Sequence, residues 1–280
     1  MIDKSLIAES FGRALDTYDR AAIVQRKIVE TLADMMTAAN FPSRASIYEV
    51  GAGTGLMTAL LAARFKAREI IANDLCADTA PALARAAAAA ASGSASAAAS
   101  AGAAARFEFI SGDAESLPIP PAAEAVVSCS AIQWFADKAA FFKKVAAALP
   151  PASLAHSTLH TPHSSLLLAF TTFGPENLRE VDELASSGLK YDSAAEYRAM
   201  LRAAGFRVIA ECDSVEQIFF PNIRALLRHF RETGVGGTGR SDWDFAKTRR
   251  FCRDYEAKHR APAGLALTYH PLYFVCAKEK

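Results

Sequence analysis

Apolar residues recur at helical spacing near the start of the chain and in short unbroken runs further along. Between residues 4 and 39 apolar positions such as Ile28 and Leu32 are three or four residues apart, which predicts one helical segment ending before Pro42. Short β-type runs alternating with helical patterns predict a mostly parallel sheet covered by helices on both faces. These runs are residues 46–50, 69–74, 106–110, 125–129 and 166–170.

The second half of the chain continues the alternation less regularly. Helical spacing predicts helices at residues 178–188, 194–204 and 223–233, and apolar runs at 209–219 and 272–277 suggest late strands. Two stretches interrupt the pattern: an Ala/Ser/Gly-rich segment at 92–105 and a polar segment at 150–164. Side chains of this kind build no core, so we interpret both stretches as insertions in loops.

The chain length of 280 residues suits one large domain. We expect a single domain over residues 1–280 with three parts. They are an N-terminal helical lid segment (1–42), a cofactor-binding core (43–175) and a C-terminal part with a substrate cap and the late strands (176–280).

Charge is unevenly distributed although the net charge is only +1. Residues 222–280 contain 12 Lys or Arg against 6 Asp or Glu, which favours an acidic partner but is too weak to indicate nucleic acid.

No apolar run reaches the roughly 18 residues that span a bilayer. The five scattered cysteines lack zinc-site spacing, so we expect reduced thiols in a cytoplasmic protein without a membrane anchor.

A glycine-rich turn follows the first predicted strand. Gly51, Gly53 and Gly55 allow a ligand to approach the backbone, and the acid Glu49 precedes them. A dinucleotide fingerprint requires glycine at position 56, which is Leu56 here. A GxGxG turn preceded by an acid instead suits S-adenosylmethionine, whose amino-acid end carries an ammonium group.

Two more acids follow strands at the same predicted edge of the sheet. Asp74 ends the second strand, where it is placed to accept the ribose hydroxyls. After the third strand, Asp113 is a candidate acceptor for the adenine amino group and the Ala114 N–H a candidate donor to the ring. Ala52, Leu75 and Ser130 complete the predicted cofactor site.

Several longer segments resemble the malonyl-acyl-carrier-protein O-methyltransferase family of biotin synthesis. The resemblance covers nearly the whole chain, and its most specific segments lie outside the glycine turn. The sequence is similar to that family at residues 10–19, 112–118, 128–134 (SCSAIQW), 169–180 (AFTTFGPENLRE), 227–234 and 267–270 (LTYH). It implies a Rossmann-like class I methyltransferase, with a mostly parallel seven-stranded sheet, an N-terminal helical segment and a helical cap.

The resemblance also implies the reaction. The methyl group of S-adenosylmethionine is expected to pass to the free carboxylate of malonyl-acyl carrier protein or malonyl-CoA. We predict that Arg228 binds this carboxylate. Tyr18 and Tyr269 are predicted to close the site or to donate hydrogen bonds to the carboxylate. The acidic carrier protein is expected to dock on the basic C-terminal region, which includes Arg224, Arg231, Lys247, Arg249 and Arg250.

Departures from the family pattern leave alternatives open. Cys129 stands where the family usually has Asn, and both insertions lengthen loops. A methyltransferase with another acceptor, or a non-catalytic protein that keeps the fold, remains possible at this point, and a dehydrogenase is disfavoured by Leu56. His156, His160 and His163 have metal-ligand spacing, but Pro162 argues against a helix, so no metal site is predicted.

Overall fold

A computed structural model describes residues 2–93, 105–149, 166–185, 189–234 and 244–279. Residues 94–104 of the insertion predicted at 92–105, and the whole insertion predicted at 150–164 with its three histidines, lie outside these residues. The helices are α1 (Lys4–Ala21), α2 (Ile23–Ala38), α3 (Leu56–Ala63), α4 (Ala80–Gly93), α5 (Lys138–Ala148), α6 (Arg179–Asp182), α7 (Ala194–Ala203), α8 (Ile223–Glu232) and α9 (Phe245–Lys258). The strands are β1 (Ser46–Val50), β2 (Glu69–Asp74), β3 (Arg106–Ser111), β4 (Ala125–Ser128), β5 (Leu166–Phe173), β6 (Phe206–Asp213), β7 (Glu216–Phe220), β8 (Arg260–Ala261), β9 (Gly264–Tyr269) and β10 (Pro271–Lys278).

The chain forms two compact units. The core unit comprises Gln25–Thr172, Ala195–Cys212 and Tyr273–Lys280, and the accessory unit comprises Met1–Val24, Phe173–Ala194 and Asp213–Leu272. Each unit collects segments distant in sequence. The prediction of one domain over the whole chain, with parts divided at residues 42 and 175, stays a prediction.

A seven-stranded sheet with the order β3-β2-β1-β4-β5-β10-β6 organises the core unit. β1 pairs in parallel with β2 and with β4, and the parallel pairing continues to β3 on one side and β5 on the other. β1, β2 and β4 are buried along their whole length, which is the burial expected of parallel strands covered on both faces. The predicted α/β fold is therefore confirmed.

The strand β10 runs against the direction of β6. The Glu279 N–H donates to the Gly205 carbonyl at one end, and the Ser214 N–H donates to the Pro271 carbonyl at the other. Residue numbers therefore rise along β6 while they fall along β10, which is the pattern of antiparallel pairing.

An aromatic cluster fills one side of the core unit. The Phe170 ring on β5 stacks on Phe274 of β10 with centroids 5.0 Å apart, and Phe142 of α5 and Tyr197 of α7 pack around them. The Tyr197 hydroxyl is satisfied by Thr172 Oγ1 at 3.0 Å. Each aromatic side chain of this size contributes about 1.5–3 kcal/mol by leaving water, so the cluster fixes the carboxyl end of β5 in place.

The accessory unit combines helices with a three-stranded sheet of order β7-β9-β8, in which β9 pairs antiparallel with both neighbours. Helix α1 packs on α8, and Thr17 Oγ1 of α1 donates to the Glu232 carbonyl. Phe11 of α1 lies against Gly234, whose φ of +69° is in the left-handed region that favours glycine.

Three element predictions were wrong in detail, and further elements were missed. The N-terminal segment is two helices, because the chain breaks at Ala22, whose ψ of 51° is not helical. The run 209–219 is split into β6 and β7, which belong to different sheets. The helix predicted over 178–188 is reduced to α6, within the described part of that range, and α9 and β9 were not predicted at all.

Candidate cofactor and substrate site

The glycine turn leaves β1 in a left-handed conformation. Gly51, Gly53 and Gly55 have φ of 67°, 56° and 95°, values that side-chain-bearing residues rarely adopt. The Ala52 N–H donates to the Asn73 carbonyl, which ties the turn to the neighbouring strand β2. α3 begins at the next residue, so the turn leads directly into a helix N-terminus, as the sequence predicted.

Close packing explains why two of these positions lack a side chain. A Cβ at Gly51 would lie 2.3 Å from the Ala131 Cβ, and one at Gly55 would lie 2.6 Å from the Ala86 Cβ. The segment after β4 therefore rests directly on the start of the turn. Glycine is required at Gly51 and Gly55 by sterics as well as by φ.

Glu49 lies inside the core unit at the end of β1. Its side chain is 2 % exposed, and its carboxylate accepts a hydrogen bond from Thr58 Oγ1 of α3 at 2.7 Å. Burial raises the pKa of Glu49 to about 8, and the neighbouring Asp74 adds to the rise. The free protein therefore holds this carboxyl largely protonated at neutral pH, and a bound cation would favour its ionised form.

Asp74 holds the glycine turn through backbone N–H groups. Its Oδ2 accepts from Gly53 N and its Oδ1 accepts from Cys76 N, both at 2.8 Å. Burial raises the pKa of Asp74, and these backbone hydrogen bonds oppose the rise. Each carboxylate oxygen can accept a second hydrogen bond, so the predicted contact with ribose hydroxyls remains chemically open. Leu75 follows, half-buried.

The loop after β3 is held at both ends by side chains that the sequence analysis missed. Lys144 of α5 donates from Nζ to the carbonyls of Ala114, Glu115 and Leu117 at 2.6, 2.9 and 2.6 Å. In return Glu115 accepts from the backbone N–H groups of residues 136 and 137, just before α5. A lysine in a helical stretch gives no sequence signal for such a role, because the contact depends on tertiary packing.

Asp113 begins this loop. Its Oδ1 accepts from the Glu115 N–H at 2.9 Å, which makes it an Asx-type turn residue as well as a candidate ligand contact. Ala114 is buried, and within the described part of the chain its N–H has no acceptor. A free, buried N–H is what the predicted contact with an adenine ring nitrogen requires, and that contact stays a prediction.

The segment after β4 is backbone-strained. Ser130 has a φ of +55°, and its N–H is held by the Thr171 hydroxyl at 3.0 Å. Cys129 precedes Ser130; burial raises the pKa of its thiol, the charge of Glu49 adds to the rise, and a hydrogen bond with Thr171 opposes it. Non-glycine residues in this conformation cluster at functional sites, which agrees with a ligand role for Ser130.

The buried acids fit a cationic ligand. Neither Glu49 nor Asp74 forms an ion pair with any Lys, Arg or His among the described residues. Two adjacent buried carboxyls without a counter-charge are costly, and a ligand that brings a positive charge reduces that cost. S-adenosylmethionine, with its sulfonium and ammonium groups, fits this donor set. No group of His, Cys, Asp or Glu suited to a metal occurs among the described residues.

The three residues predicted to bind substrate lie in the accessory unit. Tyr18 is half-buried on α1 with its ring 5.0 Å from that of Phe11. Arg228 is exposed on α8. Tyr269, at the end of β9, is 1 % exposed. Because α1 packs on α8, the elements that carry Tyr18 and Arg228 are neighbours.

His229 links α8 to Tyr269. Its Nε2 lies 2.7 Å from the Tyr269 hydroxyl, and the two rings meet edge to face. Burial lowers the pKa of His229, so the ring is neutral at pH 7. With the proton on Nε2, His229 donates to the Tyr269 oxygen. His229 lies in the family-like segment 227–234, and the sequence predicted no role for it.

A cleft of about 610 Å³ lies elsewhere in the accessory unit. Its wall mixes three basic side chains with three acidic ones, namely Arg179, Lys258 and Arg260 with Glu180, Asp182 and Glu183. None of the three predicted substrate residues lines it. The balanced charges do not mark this cleft as a site for a carboxylate.

Comparison with known proteins places these features in a family. A family model described as a methyltransferase domain matches residues 48–155. Three relatives share the name malonyl-[acyl-carrier protein] O-methyltransferase. That of Prosthecochloris aestuarii is 32 % identical over 97 % of this chain and 92 % of its own. That of Bacteroides thetaiotaomicron is 29 % identical over the full length of both. That of Bacteroides fragilis is 31 % identical over 99 % of this chain, which spans about half (51 %) of that relative.

Solved structures agree on the fold. The YcgJ protein of Bacillus subtilis superposes with a TM-score of 0.55 at 18 % identity, covering 90 % of this chain and 99 % of that one. The magnesium protoporphyrin IX methyltransferase of Synechocystis, solved with S-adenosylhomocysteine, superposes with a TM-score of 0.50 at 11 % identity, covering 90 % of this chain and 83 % of that one.

Across the described ranges, every helix is too short or too polar to cross a bilayer.

Replacing Glu49 by Gln is expected to change how stability depends on pH. Between about pH 4.5 and 8 the folded wild type keeps a proton that the unfolded chain has lost, so its stability falls as pH rises through this window and levels off above it. E49Q removes this contribution, so its stability relative to wild type should increase by up to about 1.4 kcal/mol per pH unit. Urea unfolding at several pH values measures the difference, with Glu108→Gln on the exposed side of β3 as control. A difference that does not change with pH would contradict the assignment.

Replacing Lys144 by Met is expected to loosen the loop that carries Asp113 and Ala114, because three carbonyls lose their donor. We expect affinity for adenosine and S-adenosylhomocysteine to fall roughly tenfold, the effect of one charge-assisted hydrogen bond. Calorimetry provides the measurement. Lys143→Met, at the exposed neighbouring position of α5, is the matched control. Equal affinities in both variants would show that Lys144 does not position the loop.

Proposed function

Because this chain belongs to the malonyl-[acyl-carrier protein] O-methyltransferase family, we propose that it transfers a methyl group from S-adenosylmethionine to the free carboxylate of a malonyl thioester. The product is the methyl ester, formed at an early step of biotin synthesis. Either malonyl-acyl carrier protein or malonyl-CoA supplies the thioester. A cytoplasmic location remains a prediction.

The observation that carries this proposal is the pair of buried acids around the glycine turn. Glu49 and Asp74 lie at the ends of adjacent parallel strands, and the turn between them holds three left-handed glycines. A site of this kind suits a ligand with a positive charge and an adenosine moiety. We assign the ligand's ammonium to the Glu49 side, its ribose to Asp74 and Leu75, and its adenine to Asp113 and Ala114.

The reaction needs no general base from the protein. The malonyl carboxylate is ionised at pH 7, so it is already a nucleophile. When bound, S-adenosylmethionine supplies an electrophilic methyl group, which the carboxylate oxygen takes as the C–S bond breaks and its electron pair stays on sulfur. What remains for the chain is to orient the carboxylate and exclude water.

We assign the orientation of the carboxylate to Arg228, Tyr18 and Tyr269. The guanidinium of Arg228 can bind both carboxylate oxygens. The His229 Nε2 atom lies 2.7 Å from the Tyr269 hydroxyl oxygen and so fixes its position. Tyr18 lies on α1, which packs against the helix of Arg228, so the three side chains belong to one packed unit.

Docking of the carrier protein is assigned to the exposed side of α8. Arg224, Arg228 and Arg231 stand at positions i, i+4 and i+7, which places them on one helical face, and all three are exposed. No hydrogen bond or ion pair is formed by them within the described part of the chain, so the face attracts an acidic surface. Exposed Lys247, Arg249 and Arg250 on α9, which contacts α8, extend the charge.

The activity is tested with purified protein, S-adenosylmethionine and malonyl-CoA, with the methyl ester followed by mass spectrometry. Acetyl-CoA, which lacks the free carboxylate, is the matched control and should stay unmodified. Arg228→Met should lower kcat/KM for malonyl-CoA by roughly 10- to 100-fold, the loss of a hydrogen-bonded charge pair. If malonyl-CoA stays unmodified while another acid is esterified, the substrate assignment is wrong. If R228M affects only the carrier-protein substrate, Arg228 acts in docking.

Reversing two charges on α8 should separate docking from chemistry. We expect Arg224→Glu with Arg231→Glu to raise KM for malonyl-acyl carrier protein about tenfold or more, because rim charges chiefly control encounter. KM and kcat for malonyl-CoA should remain unchanged. The control is Arg202→Glu, an exposed arginine of α7 in the core unit. An equal effect on both substrates would assign these arginines to folding or catalysis.

A further inference from the structure

The side-chain amide of Gln133 has a hydrogen-bond partner for its nitrogen but none for its oxygen among the described residues. It lies in the 3-10 turn Ile132–Trp134 that follows β4 and is 5 % exposed. Its Nε2 donates to the Ser130 carbonyl at 2.5 Å. That contact fixes the amide orientation, because a carbonyl cannot face an amide oxygen.

The Gln133 Oε1 atom is buried and has no hydrogen-bond partner among the described residues. Buried polar atoms in folded proteins are nearly always paired, and each exception requires an explanation. An acceptor without a donor beside a binding site points to a donor that the ligand supplies.

The position of Gln133 narrows the choice of donor. Ala131, two residues earlier, touches Gly51 at the start of the glycine turn, and the Cys129 thiol feels the charge of Glu49. Ser128, at the end of β4, pairs with Val50 of β1 and donates to the Val50 carbonyl at 2.9 Å, so Gln133 belongs to a segment that lies against the Glu49 end of the cofactor site. A malonyl carboxylate has no N–H or O–H to offer at neutral pH, whereas the ammonium of the cofactor's amino-acid tail has three N–H donors.

The same side chain also holds the backbone. Ser130 keeps its left-handed φ between two contacts, the Thr171 hydroxyl on its N–H and the Gln133 amide on its carbonyl. One planar amide thus has its nitrogen on the strained residue and its oxygen without a partner among the described residues. Because the amide is rigid, fixing the nitrogen fixes the oxygen.

We propose that Gln133 is a cofactor-binding residue whose Oε1 accepts an N–H from the ammonium group of S-adenosylmethionine. The inference rests on the proposed function, since it assumes that this ligand occupies the glycine turn. It adds a neutral acceptor to the charged Glu49, so that the ammonium is recognised by direction as well as by charge.

The test compares two ligands that differ in the amino-acid tail. S-adenosylhomocysteine carries the ammonium, and 5′-methylthioadenosine lacks it. Gln133→Met, which keeps the side-chain length, should weaken S-adenosylhomocysteine binding roughly tenfold in calorimetry and leave 5′-methylthioadenosine binding within about twofold. Unchanged binding of the second ligand also shows that the variant is folded.

The same substitution in a Ser130→Gly variant separates the two roles of Gln133, which are accepting from the ligand and holding the Ser130 backbone. Ser130→Gly removes the cost of the left-handed φ, so the turn no longer depends on Gln133. The tenfold loss for S-adenosylhomocysteine should persist when Q133M is added to S130G. Its disappearance there, an equal loss for both ligands, or no loss in Q133M would overturn the inference. A wild-type protein that binds neither ligand would instead overturn the proposed function.

Discussion

Burial of the Glu49 carboxyl at the end of β1 is the constraint on which the site depends. An acid removed from water without a counter-charge must either keep its proton or receive a cation. The Thr58 hydroxyl gives it one hydrogen bond, and Asp74 nearby makes ionisation harder still. The free folded protein thus keeps a proton on Glu49, which a positively charged ligand displaces by favouring the ionised form, and this couples the fold of the core unit to the choice of cofactor.

Backbone geometry around this acid is held by side chains from several strands. Asp74 at the end of β2 holds the turn, Thr171 of β5 holds the segment after β4, and Lys144 of α5 holds the loop after β3. Parallel pairing brings the carboxyl ends of these strands to one edge, which is where open α/β sheets bind their ligands. The site is therefore a property of the sheet order and of the hydrogen bonds that fasten its loops, more than of any single loop sequence.

The sequence predicted the parallel half of the sheet and the cofactor edge well, because unbroken apolar runs and a glycine turn are local signals. β1, β2 and β4 begin and end within a residue of their predicted bounds. The accessory unit was predicted poorly. β9 was missed because its residues, such as Thr268 and Tyr269, follow turn-forming Pro262 and Gly264 without a clear alternation. Lys144 gave no signal, since its role arises from contacts between segments that the fold brings together, whereas Gln133 stood in the family-like segment 128–134 without a stated role.

The placement of β10 between β5 and β6 has a consequence for synthesis on the ribosome. β6 is completed about 58 residues before Pro271 of β10 is added, yet in the finished sheet it has β10 as its hydrogen-bonded neighbour. Its polar edge must therefore wait, unpaired, while the accessory segments emerge. During that interval the nascent chain presents an open strand edge of the kind that pairs with other chains, and the sheet is complete only after this late strand has been inserted.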